Sequence, residues 1–225
     1  SKKAKSLKTP SPKEEKKSKS SGKNFATGRT VESLPAQSTP RKERKGTDLI
    51  VFAFDTETTG LVENRTVKLD KQPEIIEFYG ALVNLDTGKV LKEIDQLFKP
   101  SREISEEITK ITGIDNDMVA NSPPFKQFAD VIKTLLQNAP AVLAHNLSFD
   151  IDMVELEFER LGQKIEWPHK ICTVEQTKHL KGFRLKLSLL HEHLFGTPFS
   201  GAHRAKVDVE ALIRCAVKLR AEGVL

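Results

Sequence analysis

A run of five apolar residues, Ile50 to Phe54, leads directly into the acidic residues Asp55 and Glu57. Five consecutive apolar side chains are typical of a strand that is covered on both faces. Residues two positions apart in a strand point to the same face, so both carboxylates are expected on one face at its end. Burying an unpaired charge is costly, so this pair needs a compensating cation or a proton-transfer role. Short acidic motifs also occur at solvated strand ends, so the pair marks a candidate site only together with other segments.

A second short apolar run, over residues 141–144, is followed by polar residues and by Asp150. Apolar residues then recur every three or four positions, which predicts a helix over residues 149–161. Its buried stripe consists of Ile151, Val154, Phe158 and Leu161. We expect Ser148 to cap this helix and Asp150 to lie in its first turn, where the helix dipole favours a negative charge. An acid in a first turn is also common without any further role.

The third acidic segment opens the last predicted helix of the chain. The core-facing stripe of that helix consists of Asp208, Leu212, Cys215 and Leu219, at spacings of four, three and four. Asp208 therefore lies at the N-terminal end of a core-facing stripe and needs a partner. His203 precedes it by five positions, and we place it on a loop that Gly201 allows, free to swing over the site. A lone histidine before a helix would otherwise be a cap or a surface residue.

The order of these motifs resembles the DEDDh family of 3′-to-5′ exonucleases. The pattern is Asp-x-Glu, then an aspartate after an apolar His-Asn-x-x-Phe run, then His-x-x-x-x-Asp on the last helix. It spans residues 48 to 222 and is most similar to the proofreading (epsilon) subunit of bacterial DNA polymerase III. A sister group with tyrosine in place of the histidine is disfavoured, because the only tyrosine, Tyr79, is far from the last helix.

The resemblance implies a set of catalytic residues and a cofactor. The implied metal ligands are Asp55, Glu57, Asp150 and Asp208. In that family Asp55 bridges two divalent ions, Glu57 and Asp208 complete the first, and Asp150 acts partly through water. Oxygen ligands without a thiolate favour Mg²⁺ or Mn²⁺ over Zn²⁺, with two ions per site. His203 is the implied general base, since histidine can accept a proton near neutral pH.

The same resemblance assigns positions that bind the substrate. Thr58 and Leu61, after the first acidic pair, are implied to hold the terminal nucleotide, and His145 and Phe149 to line the same pocket. Stacking of a base on apolar or aromatic side chains needs no sequence readout, which suits an exonuclease. Thr112 stands where many relatives have a histidine before Gly-Ile, so nucleotide contacts are not transferred to that position.

The remaining elements agree with the RNase H-like α/β fold of that family. Strands are predicted over residues 49–55, 75–84 and 90–98, and a hairpin-type turn sequence joins the last two. Helical patterns follow, with a further strand at 141–145 and a strand or turn at 170–173. This order predicts a mixed central sheet with an antiparallel meander, flanked by helices, and with the acids at strand ends.

The first 47 residues differ in composition from the rest, with 14 Lys and Arg against 4 Glu. Such a segment cannot bury enough apolar surface to fold, so we expect a disordered basic tail over 1–47 and an exonuclease domain over 48–225. The domain then holds 22 basic and 27 acidic side chains, and the high pI of about 9.1 stems from the tail. The tail either tethers the protein to nucleic acid or serves as a solubilising extension or localisation signal.

Three functions are compatible with these patterns. The first is an exonuclease for single-stranded or frayed 3′ ends of DNA, which acts with a DNA polymerase in proofreading or alone in repair. The second is an RNA exonuclease of RNase T type, because the 2′-hydroxyl is read by pocket geometry that a sequence does not reveal. The third is a nucleic-acid-binding module with a decayed site, which the presence of all five site residues disfavours.

The sequence shows no apolar stretch long enough to span a membrane and no signal-peptide pattern. We therefore expect a soluble intracellular protein with no membrane partner. Its expected location is the cytoplasm, with the nucleoid as the site of action if it is bacterial and the nucleus if it is eukaryotic.

Overall fold

A computed structural model of the chain describes residues 48–64 and 66–225. The tail predicted over residues 1–47 lies outside the described residues, and its disorder stays a prediction. The strands of the described part are β1 (Ile50–Thr58), β2 (Ile75–Asn84), β3 (Lys89–Leu97), β4 (Ala141–Ala144) and β5 (His169–Cys172). Its α-helices are α1 (Glu106–Thr112), α2 (Asn116–Val119), α3 (Ala129–Asn138), α4 (Leu147–Arg160), α5 (Thr173–Lys181), α6 (Leu187–Phe195) and α7 (Ala205–Ala221). Short 3-10 helices occur at Leu69–Lys71 and Phe125–Gln127.

The strands form one sheet in the order β3-β2-β1-β4-β5. β2 is antiparallel to both β1 and β3, whereas β4 runs parallel to β1 and to β5. The predicted mixed sheet with an antiparallel meander is therefore confirmed. β1 lies in its centre, and residues 51–54 are fully buried, as the unbroken apolar run predicted.

The two faces of the sheet carry separate parts of the core. Phe52 and Phe54 face a cluster built with residues of α3 and α4, whereas Val51 and Ala53 face a cluster built with α7. Side chains alternate along a strand, so Asp55 and Glu57 continue the row that faces α7. Thr56 continues the row that faces α4. This alternation decides which helix each later residue of β1 can reach.

Two predicted boundaries at the site were wrong. β1 does not end at Asp55 but continues to Thr58, because its pairing with β2 extends through Glu57 before the register shifts. Ser148 does not cap α4, which begins at Leu147 with Asn146 as its N-cap. The link from β4 is only two residues long, and Asn146 makes the turn in the left-handed region at φ 69°. Asparagine adopts this region more readily than most residues.

Asp150 lies in the first turn of α4, as predicted. Cys215 is buried on the core-facing stripe of α7, also as predicted. Among the helices that the structure describes, none is both long enough and apolar enough to cross a membrane.

Gly80, in the middle of β2, lets the Phe52 ring pack directly against the backbone. A Cβ atom at Gly80 would lie 2.3 Å from Cζ of Phe52. Phe52 is fully buried and stacks on Phe54 with ring centroids 6.3 Å apart, so its ring has no room to move aside. We expect Gly80→Ala to lower the free energy of unfolding by about 2 kcal/mol, measured by urea denaturation.

Gly60→Ala is the control for this prediction, because a Cβ atom there would meet nothing within 4 Å. Its free energy of unfolding should stay close to that of the wild type. An unchanged denaturation midpoint for Gly80→Ala would show that the core around Phe52 is looser than the structure indicates.

Candidate active site

Three acidic side chains converge at the end of β1. Carboxylate oxygens of Asp55, Glu57 and Asp208 lie within 4.8 Å of one another. Asp55 and Glu57 share the face of β1 that the two-residue period predicted, and Asp208 comes from the first turn of α7, which packs on that face. The structure thus brings together three of the four predicted acids.

Asp150 reaches β1 from the opposite face of the sheet. It is only 2% exposed, and its Oδ1 accepts hydrogen bonds from the backbone N–H of Thr56 at 3.1 Å and from Oγ1 of Thr56 at 2.8 Å. Thr56 belongs to the row that faces α4, which explains why Asp150 meets the strand there and lies outside the three-acid cluster. The charge of Asp150 still raises the pKa of Asp55.

Burial raises the pKa of all four carboxyl groups. Loss of hydration is the largest cause in each case, and it brings the pKa of Glu57 to about 8 and that of Asp150 to about 7. Repulsion adds to this, chiefly from Asp208 on Glu57 and from Asp150 on Asp55. Several buried carboxylates with raised pKa values and only oxygen donors fit a hard divalent cation such as Mg²⁺ or Mn²⁺.

His203 lies on the loop between α6 and α7, as predicted, but its backbone is held by hydrogen bonds of His203 and Arg204 and is not free to swing. Its backbone is in the left-handed region at φ 71°, a conformation that few residues other than glycine adopt. In this geometry the backbone N–H of His203 donates to Oδ2 of Asp208 at 2.8 Å and lowers the pKa of Asp208, against the effect of burial. The exposed His203 lines a cleft of about 550 Å³ together with Asp55 and Asp208.

His145 lines the same cleft, but both of its ring nitrogens have protein partners. Nδ1 lies 2.8 Å from Oγ1 of Thr173, and Nε2 lies 3.0 Å from the carbonyl oxygen of Leu185. A carbonyl oxygen only accepts, so Nε2 carries the proton and Nδ1 accepts from Thr173. Burial lowers the pKa of His145 to about 4 and keeps the ring neutral. His145 therefore ties β4 to α5 and to the loop before α6.

The other residues predicted to bind the nucleotide lie outside the lining of this cleft. Thr58 is buried, and its hydroxyl donates to the carbonyl oxygen of Gly60 at 2.7 Å. Leu61 is 80% exposed on the loop after β1. Phe149 is partly buried against the core cluster that contains Phe52. Their contacts with a nucleotide stay predictions, as does that of His145.

Tyr79 is distant from the last helix in sequence but adjacent to it in space. Nζ of Lys206, in the first turn of α7, lies 5.4 Å from the centroid of the Tyr79 ring. The Tyr79 hydroxyl, however, donates to Oε2 of Glu93 on β3 at 2.7 Å. The phenol is thus engaged at the far strand of the meander, so a tyrosine in the role of His203 stays disfavoured for a geometric reason.

Sequence reasoning missed Glu77, a fifth buried acid beside the cluster. Glu77 is the cross-strand partner of Glu57 and is 1% exposed. Its carboxylate accepts from Nη2 of Arg204 at 2.6 Å, from Nε of Arg204 at 3.0 Å and from the backbone N–H of Ala205 at 2.8 Å. Glu77 therefore holds the start of α7, directly after His203. The only local signal was an acid inside the apolar β2.

Residues 52–216 match the family model RNase_T, described as an exonuclease. That range includes the three-acid cluster, Asp150, His203 and the anchor formed by Glu77 and Arg204. The chain belongs to the RNase_T exonuclease family. The resemblance inferred from the spacing of five residues is thereby confirmed at the level of the family.

Two curated proteins are similar to this chain in sequence. The 3′-5′ exonuclease DinG of Bacillus subtilis (strain 168) is 34% identical over 159 residues, which cover 70% of this chain and 16% of DinG. The PolC-type DNA polymerase III of Caldanaerobacter subterraneus subsp. tengcongensis is 30% identical over 182 residues, covering 76% of this chain and 12% of that protein. The chain thus spans less than a fifth of the length of these relatives.

Solved structures confirm the predicted fold. The nuclease domain of 3′hExo, a DEDDh family member bound to rAMP, matches with a TM-score of 0.64 at 20% identity, covering 79% of this chain and 94% of that chain. Exonuclease X in complex with 5′ overhanging duplex DNA matches with a TM-score of 0.54 at 23% identity, covering 77% and 93%. At this identity the likeness concerns the fold alone.

The raised pKa of Glu57 predicts how stability depends on pH when no divalent cation is present. Its carboxyl ionises near 4.5 in the unfolded chain and near 8 in the folded protein. The folded state therefore binds more protons between these values, and stability falls as the pH rises through that window. We expect Glu57→Gln to raise the free energy of unfolding by at least about 1 kcal/mol at about pH 8 and to change little at about pH 5.

The measurement is urea denaturation in a chelating buffer at both pH values. Glu63→Gln, which changes an exposed acid on the loop after β1, is the control and should show no pH-dependent gain. An equal gain for Glu57→Gln at both pH values would contradict the raised pKa.

The contact between Glu77 and Arg204 can be tested as a pair. Arg204→Met leaves the Glu77 carboxylate buried without its guanidinium partner, so we expect the free energy of unfolding to fall by about 2 to 4 kcal/mol. Adding Glu77→Gln should recover part of this loss, because an amide needs no counter-charge and can still accept from Ala205. Urea denaturation of the single and double variants checks this, and strictly additive losses would contradict the pairing.

Proposed function

We propose that this chain is a metal-dependent 3′-to-5′ exonuclease that releases nucleoside 5′-monophosphates from DNA ends, in proofreading or in repair. The observation that carries the proposal is the cluster of Asp55, Glu57 and Asp208, whose oxygens lie within 4.8 Å of one another. The cluster lies beside a cleft that His203 also lines. Membership of an exonuclease family and the named activity of the relative DinG support the same reaction.

The acids and the histidine have different roles in the proposed reaction, cation binding and proton acceptance. Asp55, Glu57 and Asp208 hold the divalent cations, for which we propose Mg²⁺, and Asp150 acts through water from its place beside Thr56. When bound, two such ions offset the negative charge that develops on the phosphate and assist ionisation of the attacking water. His203 accepts the proton of that water, and its exposure at the cleft lets the imidazole pass the proton to solvent.

The backbone around His203 supports this role. Its N–H is bonded to Asp208, and the next residue, Arg204, is bonded to Glu77 in the sheet. The imidazole is therefore carried by a segment that is fixed on both sides to the acid-bearing elements. Such fixing matters because proton transfer requires the base within hydrogen-bond reach of the reacting water.

The proposed substrate is a single-stranded or frayed 3′ end of DNA. Two similarities support DNA as the substrate. The chain is similar in sequence to a PolC-type DNA polymerase III, and its fold is similar to that of Exonuclease X, which was solved with duplex DNA. The PolC-type relatives also support a DNA polymerase as a partner in proofreading. Such a substrate places the protein at the nucleoid of a bacterium or in the nucleus of a eukaryote.

The test is digestion of three 5′-labelled substrates of matched sequence: single-stranded DNA, duplex DNA with a mismatched 3′ end, and RNA. We expect stepwise shortening from the 3′ end of DNA with Mg²⁺ and none with a chelator, and nucleoside 5′-monophosphates as products. Asp55→Asn should be inactive because it replaces a charged cation ligand with a neutral amide, which binds the cation far more weakly. Faster digestion of RNA would replace the DNA assignment with an RNA one, and products that do not arise from the 3′ end would refute the proposed reaction.

His203→Ala removes the proposed base but no cation ligand. We expect a rate about 10²- to 10⁴-fold lower, the usual scale for loss of a general base, with Mn²⁺ affinity unchanged by calorimetry. His193→Ala, at an exposed histidine of α6 outside the cleft lining, is the control and should retain the wild-type rate. Loss of Mn²⁺ binding in His203→Ala would show that His203 is a ligand rather than the base.

A further inference from the structure

The segment that includes α5 and the loop to α6 reverses the charge of the domain around it. Residues 173–186 carry four Lys and Arg against one Glu, whereas residues 48–225 as a whole carry more acids than bases. The basic residues of the segment are Lys178, Lys181, Arg184 and Lys186. Positive charge is thus concentrated in one segment of an acidic domain.

This segment forms one wall of the cleft. Arg184, Leu185 and Lys186 line the same cleft as Asp55 and His203. A polyanion that enters a cleft with acids at its end is repelled by them, and positive charge on the wall offsets this repulsion at short range. The positive charge of this wall therefore lies where it can attract an approaching phosphate backbone.

The loop between α5 and α6 is held in position by polar contacts. The carbonyl oxygen of Leu185 accepts from the neutral ring of His145 at 3.0 Å. Nη2 of Arg184 donates to Oδ1 of Asn146 at 2.7 Å, and its Nη1 is paired with Glu175. Arg184 is thus committed to the protein, and the loop is fixed to the end of β4, next to the three-acid cluster.

Three side chains, one on the last residue of α5 and two on this loop, are exposed and can meet a ligand. Phe183 is 56% exposed, although an aromatic ring of this size is usually covered. Lys181 and Lys186 are exposed and make no ion pair with any residue that the structure describes. In the sequence the exposed ring of Phe183 is flanked by these two lysines. An aromatic ring near cationic side chains is the combination that binds single-stranded nucleic acid, by base stacking and phosphate pairing.

We infer that the end of α5 and the loop between α5 and α6 form a subsite for the single-stranded segment that precedes the terminal nucleotide of the substrate. Phe183 stacks on a base, and Lys181 and Lys186 pair with phosphates. The inference rests on the proposed exonuclease function and extends it from the bond that is cut to the strand that is held. Stacking and phosphate pairing read neither base identity nor the 2′-hydroxyl, so this subsite accepts any sequence.

The test compares a long and a short substrate in the full chain, so that residues 1–47 contribute equally to every variant. The long substrate is a 5′-labelled oligothymidylate, and the short one is thymidine 5′-(p-nitrophenyl) phosphate, which lacks a preceding strand. We expect Phe183→Ala to raise KM for the oligomer about tenfold with kcat preserved. Its kcat/KM on the short ester should equal that of the wild type.

The lysines are tested by salt dependence. The double variant Lys181→Gln/Lys186→Gln should flatten the slope of log affinity against log salt by about 1.4, since each single-strand phosphate contact contributes about 0.7. Matched controls are Val131→Ala on α3 and Lys89→Gln/Lys92→Gln on β3, exposed residues that do not line the cleft. Oligomer KM values and salt slopes equal to those of the controls would overturn the inference.

Two further outcomes separate this inference from the proposed function. If Phe183→Ala slows the short ester as much as the oligomer, the loop only shapes the cleft and the strand subsite is refuted. If the wild type hydrolyses neither substrate, the proposed function fails. In that case the affinity of the wild type and of Phe183→Ala for the labelled oligomer is measured by fluorescence anisotropy. Equal affinities of the two proteins would refute the subsite.

Discussion

Burial of like charges at the end of β1 is the constraint on which the site depends. Asp55, Glu57 and Asp208 repel one another and are held in surroundings that favour their neutral forms. Apolar packing on both faces of the sheet holds the acid-bearing strand and helix together despite this cost. A cation that binds these acids only in the folded protein offsets their repulsion and raises the free energy of unfolding. Cation binding and folding are therefore linked.

A second interaction determines where α7 starts. Glu77 is more deeply buried than the three acids of the cluster, but Arg204 and the N–H of Ala205 satisfy its charge. Glu77 therefore anchors the start of α7, and its contacts with Arg204 and Ala205 fix the residues that precede and follow them. Asp208 follows one turn later on the core face, and His203 precedes the anchor on the cleft side. One ion pair with a buried carboxylate thus positions both the proposed base and one proposed ligand.

Much of this arrangement could be predicted because it follows from local patterns. The two-residue period placed Asp55 and Glu57 on one face, and the helical stripe placed Asp208 at the start of the core-facing side. The helix cap was wrong, because the two-residue link between β4 and α4 left Asn146, and not Ser148, at the cap position. Glu77 was missed because its partner lies 127 residues away, and no periodicity connects two such positions.

The sequence by itself determined which side chains could take part, because strand and helix periods are properties of neighbouring residues. It determined the strand that carries Asp55, the acids of both helices and the family to which they belong. Only the tertiary structure decided that Asp150 meets Thr56 from the opposite face, and that His145 is a structural tie rather than a free ring. Those outcomes depend on which helix packs on which face of the sheet, and burial and long-range hydrogen bonds exist only after that packing has formed.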